Sequence, residues 1–201
     1  MKFYESGDNR KPVIFLFPGT CCLYSSFDHV LDGLHSYFYT VAVSYDGFDP
    51  NEKTEFYSME DECEKIEQEI RKKYGGRIYL VAKIQSSMVV PFMYKMVHTG
   101  TLPKFMQKKL DKTDDGKKEL YNGFLNMFGI GKGGSPWITK QSIYNQFYSD
   151  LVTKVQHGID VPGTTIHVFY ATKMGKKYEK RYWTYFKNPD IRSCLLYTSP
   201  S

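Results

Sequence analysis

The sequence lacks any apolar run near the ~18 residues that a membrane-spanning helix requires. Its first residues, MKFYESGDNRK, contain no apolar stretch of the secretory kind. Cysteine is scarce, with four residues at Cys21, Cys22, Cys63 and Cys194. A vicinal pair and two isolated thiols make neither a disulfide framework nor a zinc spacing. The expectation is a reduced, cytoplasmic protein with no metal and no cofactor. A dense basic stripe is lacking too. The formal charge of +5 is spread over small groups at Arg71 to Lys73, Lys108-Lys109 and Lys173 to Arg181, so no nucleic-acid partner is expected. No internal repeat is visible. What is present is a globular composition, 41% hydrophobic and 24% charged. Its 201 residues suffice for one domain with a sizeable core.

The organising stretch is PVIFLFPGT, residues 12–20. Val13 to Phe17 is a short apolar run closed by Pro18-Gly19, which predicts a strand buried on both faces. Ligands of α/β proteins gather at the carboxyl ends of such strands, which directs attention to Gly19, Thr20 and Cys21. Residues 1–11 read as a polar lead-in. Apolar spacing at Phe27, Val30, Leu31 and Leu34 predicts a helix with Ser25 or Ser26 as its cap. A strand over Tyr39 to Ser44 completes a βαβ unit. Ser58 and Asp61 resemble a capping box opening a helix that runs to Lys73 and stops at Gly75-Gly76. Met59, Cys63, Ile66 and Ile70 form its buried stripe. A third strand spans Ile78 to Ala82. From Lys83 to Gly158 the pattern is helical, with segments at 87–97, 103–110, 118–128 and, capped by Thr139, 140–153. A strand at 165–171 and a helix at 177–186 follow, broken by Asn188-Pro189-Asp190.

PVIFLFPGTCC, VAVSYDGFD, NQFYSDLVT and TIHVFYATKMGKKYEKRY together resemble uncharacterised bacterial α/β-hydrolase-like proteins, over most of residues 11–193. The resemblance implies a mostly parallel sheet of about four strands flanked by helices. Residues 1–82 and 159–193 would form the core, and residues 83–158 an inserted helical lid. It implies an esterase or acyl hydrolase acting on a small-molecule ester or acyl substrate. It also makes Gly19, Thr20 and Cys21 the oxyanion-side loop, with the Thr20 amide as the leading donor toward developing negative charge.

The chain departs from the family where the nucleophile belongs. G-x-S-x-G, whose glycines permit a strained strand-to-helix turn, is missing. After the third strand stand Lys83-Ile84-Gln85-Ser86-Ser87-Met88. Ser86 is the candidate nucleophile, but Ile84 and Met88 replace the glycines. AKIQSSMVVPFMYKM resembles the start of the family's lid joined directly to the third strand. The family's histidine would lie beyond Arg192, where residues 194–201, CLLYTSPS, resemble a translated sequencing adapter and are set aside. His29, His35, His98, His157 and His167 read as core or surface residues, and Glu179 and Asp150 as surface acids. Cys21-Cys22 could offer a thiolate near a helix start, without a paired histidine. Gly129 to Gly134 looks like a phosphate loop, but Gly follows Lys132, so it reads as a lid hinge. The expected protein is a hydrolase scaffold without turnover as given. The alternative is a non-catalytic binding or interaction module. With the elbow segment missing, the 165–171 strand should lie beside Ile78 to Ala82 or leave a gap there.

Overall fold

A computed structural model of the chain describes residues 1–75, 78–82, 90–99, 104, 108, 111–112, 114, 137–171 and 176–194. Two compact units divide it, Met1–Thr153 and Lys154–Ser201.

The first unit is built on a four-stranded sheet. Its strands are β1 (Lys2–Ser6), β2 (Val13–Phe17), β3 (Tyr39–Ser44) and β4 (Ile78–Ala82), in the order β1-β3-β2-β4. β2 pairs in parallel with β3 on one side and β4 on the other. β1 runs antiparallel along the outer side of β3. With partners on both edges and helices over its faces, β2 buries Ile14, Phe15 and Leu16 to 5%, 0% and 1% exposure. Alternation sends Phe15 to one face and Ile14 and Leu16 to the other. Burying each such side chain is worth about 1.5–3 kcal/mol.

The helices are α1 (Asp28–His35), α2 (Met59–Lys73), α3 (Val90–Thr99) and α4 (Lys140–Val152). α1, with Leu31 and Leu34, covers the face of Ile14 and Leu16. α2, α3 and α4 contribute Ile66, Ile70, Met93, Met96, Val97, Ile143 and Phe147 to the larger cluster around Phe15. The Ser58 hydroxyl accepts the Asp61 N–H at 3.2 Å, so the expected α2 cap is present. Thr139 caps α4 in the same way, accepting from Ser142 N–H at 3.0 Å. α1 differs: a 3-10 turn, Tyr24–Phe27, leads into it, and neither serine caps it. Cys63, placed in the α2 stripe by spacing, is exposed. Among the described residues no helix is long and apolar enough to cross a membrane.

One expectation needs correction, and for the 165–171 strand pairing beside Ile78 to Ala82 is excluded. Residues 1–11 are not a mere lead-in, because Lys2–Ser6 is a strand. Phe3 packs with the Phe15 cluster and Tyr4 with the Leu16 cluster. That alternation was masked by Lys2 and Glu5, which an edge strand tolerates. The sheet therefore reaches four strands through β1. The 165–171 strand lies in the second unit as β5 (His167–Ala171), paired in parallel with β6 (Asp190–Cys194) in a sheet of its own. Asn188, at φ 52°, turns the chain out of α5 (Lys176–Tyr185) and into β6. Beside the end of α5 runs Gly158-Ile159, whose amides donate to the Thr184 and Tyr185 carbonyls at 3.1 and 2.8 Å.

Gly47, in the loop after β3, has no substitute. Its φ is +77°, and a Cβ there would lie 2.3 Å from Ser142 Oγ and 2.9 Å from Phe56 N. The left-handed backbone alone costs a non-glycine residue about 1–2 kcal/mol, before α4 is pushed away. Gly47→Ala is expected to lower the urea midpoint of unfolding by at least that equivalent. An unchanged midpoint contradicts the close approach of α4.

Candidate functional site

The candidate site forms where β2 ends. Pro18 and Gly19 are buried, and the Gly19 carbonyl accepts from Cys22 N–H at 2.9 Å, closing a four-residue turn. Cys21, third in that turn, has φ 56°. A type II turn makes this demand of its third residue and is usually met by Gly or Asn. A buried cysteine held there stores about 1–3 kcal/mol of strain, a condition found at ligand-binding and catalytic turns.

Above the turn lies α4. Cys21 N–H donates to Gln146 Oε1 at 2.6 Å, and the Thr20 hydroxyl donates to Asp150 Oδ2 at 2.7 Å. Gln146 and Asp150 are one helical turn apart and so share a face. Burial pushes the Asp150 carboxyl above its usual range, with the Thr20 hydrogen bond opposing it. Burial also pushes the Cys21 thiol well up, aided by Asp150 and Cys22. The thiolate chemistry that Cys21-Cys22 suggested needs the opposite shift. Tyr45, just past the end of β3, is raised by burial first and then by Glu62, Cys63 and Asp150.

Further polar groups of α4 secure it. Ser142 Oγ accepts the Phe56 N–H at 3.1 Å, Asn145 Nδ2 donates to the Phe56 carbonyl at 2.8 Å, and Ser149 Oγ accepts the Met59 N–H at 3.4 Å. Ser142, Gln146 and Ser149 are all buried. Each net hydrogen bond contributes about 0.5–1.5 kcal/mol, and an orphaned buried partner costs more.

Of the residues singled out by sequence, the structure brings Gly19, Thr20, Cys21 and Asp150 together. Ser86, Ser87 and the Gly129–Gly134 loop lie outside the described residues. His29 is exposed on α1. His35 Nε2 lies 2.9 Å from Ser6 Oγ and 3.1 Å from Thr40 Oγ1. That serine–histidine contact sits at the start of β3, and the carboxyl end of β2 is the other end of the parallel pair. His98 stacks on Tyr94 and meets Tyr144, and His157 meets Tyr185. His167 Nδ1 pairs with Asp190 Oδ2 at 2.7 Å, and Arg192 Nε donates to the same oxygen at 3.0 Å. His167 and Asp190 open β5 and β6, so this pair also stands at amino-terminal strand ends. Glu179 is half-buried in the first turn of α5.

Two other features compete for attention. Asp46, Asp61 and Glu62 bring carboxylate oxygens within 4.8 Å of one another. Lys65 Nζ reaches them at 2.6, 2.5 and 3.4 Å, and the Met1 amino group also pairs with Asp46. This cluster holds ammonium groups and could bind a metal only by displacing them. A cavity of about 430 Å³, lined by Glu5, Val13, Tyr39, Lys73, Tyr74 and Ile78, opens where β2, β3 and β4 begin. It lies at the opposite end of the sheet from the turn.

Gln146 was not singled out by the sequence reading. The available signal was its spacing from Asp150 on a helix with a firm Thr139 cap. The direction of the Cys21 amide had no signal, since it follows from a positive φ that the residue type disfavours.

No protein-family model and no curated protein matches the chain. Solved structures do match. An α/β-hydrolase family protein from Desulfitobacterium hafniense aligns with a TM-score of 0.60 at 11% identity, covering 96% of this chain and 90% of that one. A hydrolase from Pseudomonas aeruginosa aligns with a TM-score of 0.60 at 10% identity, covering 96% and 84%. A marine microorganism esterase aligns with a TM-score of 0.61 at 12% identity, covering 96% and 90%. The chain has an α/β-hydrolase-like fold, in which a mostly parallel four-stranded sheet is flanked by helices.

The raised Asp150 carboxyl gives a pH prediction. Folded Asp150 holds its proton to higher pH than the unfolded chain, so stability falls as pH rises from the unfolded value of 3.8 through the folded one. Asp150→Asn keeps an acceptor for Thr20 and removes that penalty. The variant is expected to melt at a higher temperature than the parent at pH 7, with the gap closing toward pH 3.8. A gap that stays constant with pH contradicts the assignment.

Proposed function

We propose that the chain is a hydrolase-type scaffold of the esterase or acyl-hydrolase kind, with its reaction end at the carboxyl edge of β2. Its substrate class is a small-molecule ester or acyl compound, and residues 83–158 act as a lid. The observation that carries this reading is the buried Cys21 N–H, aimed from a strained turn at the end of the central strand. An amide held in that way is the preorganised donor that acyl transfer uses to stabilise an oxyanion. Thr20 was the leading donor by resemblance. The Cys21 amide is proposed to join it in that role, while the Thr20 hydroxyl donates to Asp150. The setting is cytoplasmic, in keeping with free thiols at Cys21, Cys22 and Cys63.

The chain as it stands is proposed not to turn esters over, because no G-x-S-x-G is present to hold a serine on a strained elbow. The second reading is a binding or interaction module on the same scaffold. The Gln146 contact favours it, since the donor already has an acceptor. Purified protein with p-nitrophenyl acetate and p-nitrophenyl butyrate is expected to give hydrolysis at the buffer rate. Hydrolysis above that rate which disappears in Ser86→Ala overturns the absence of turnover.

A further inference from the structure

The contact at Cys21 has the chemistry of a bound acyl group. The Gln146 side chain ends in a neutral carboxamide, and its carbonyl oxygen lies 2.6 Å from the Cys21 nitrogen. Cys21 and Gln146 are each 2% exposed, so water does not share the position freely. Ser142, Asn145 and Ser149 already fasten α4 to Phe56 and Met59. Gln146 instead addresses a turn whose backbone is held at positive φ by a cysteine.

We propose that Gln146 is an intramolecular pseudo-ligand: its carboxamide fills the position of an acyl ligand's carbonyl oxygen and closes the Cys21 amide to such ligands until the side chain withdraws. This rests on the reading of residues 19–21 as the oxyanion-side loop. The ligand class follows from the surroundings. Asp150, one turn further along α4, already takes the Thr20 hydroxyl. A carboxylate entering beside this buried carboxyl meets like charge or forces one of the pair to hold a proton, whereas a neutral amide or ester carbonyl does neither. The position therefore takes neutral acyl compounds and rejects their free acids once ionised.

Gln146→Ala removes one CH₂–CONH₂ group, the equivalent of one acetamide molecule, and leaves the Cys21 N–H without its acceptor. Acetamide is expected to raise the melting temperature of this variant in a saturable way and to leave the parent without such a rise. Acetate at neutral pH is expected to have no effect. If the variant is unfolded on its own, acetamide must restore its circular dichroism. No response to acetamide, an equal response of the parent, or equal potency of acetate overturns the proposal. Butyramide separates a pseudo-ligand from a structural plug. A position that belongs to an acyl site accepts the longer chain, and rejection of butyramide where acetamide binds overturns the autoinhibitory role. Ester hydrolysis by the same variant is followed in parallel. Rescue by acetamide does not depend on a competent serine, so failure of rescue and appearance of turnover are separate outcomes.

Discussion

A buried backbone N–H must find an acceptor, and here the amide of Cys21 sets the terms. It lies beyond the end of the central strand, where no ladder partner follows, and its residue is almost fully enclosed. Leaving it unpaired would cost about 1–3 kcal/mol. Gln146 supplies the acceptor, which requires α4 to pass directly over the turn. The same passage brings Ser142 against Phe56 and Gly47, and so requires glycine at position 47. Position, strain and composition of the site thus follow from one donor and the helix that answers it.

Much of the frame was legible in residues alone. Val13 to Phe17 announced a strand buried on both faces because nothing polar interrupts it. Ser58 and Thr139 announced helix starts because a hydroxyl just before a helical pattern has few other uses. β1 was missed because its alternation spans only Phe3 and Tyr4 amid charges. Of the two placements expected for the 165–171 strand, pairing with Ile78 to Ala82 is excluded; its partner β6 was not legible because pairing depends on register with a distant segment, and β6 begins inside a segment read as a break. At the site, Gly19, Thr20 and Cys21 were legible as a strand-ending loop. Gln146 was not, since a glutamine on a helix face is ordinarily solvated, and only tertiary contact shows that this one is buried.

Chemistry-like pairs in the chain illustrate why fold and reaction must be argued apart. Ser6 with His35 and His167 with Asp190 have the distances of catalytic partners. Both stand at the ends of their sheets where the parallel strands begin, the ends that α/β folds rarely use for ligands. Ser6, His35 and Thr40 knit β1 to β3 and α1, and His167 with Asp190 aligns β5 and β6. Likeness to solved hydrolases at 10–12% identity speaks for the arrangement of the sheet and helices and leaves the reaction to the residues.

The central claim is that the turn after β2 and α4 form one cooperative unit joined through the Cys21 amide. Native-state hydrogen exchange tests it most directly. The Cys21 and Phe56 amides are expected to open with the same free energy, and the same denaturant dependence, as the α4 amides of Ile143 to Phe147. Rapid exchange at Cys21 while α4 stays protected would contradict the claim.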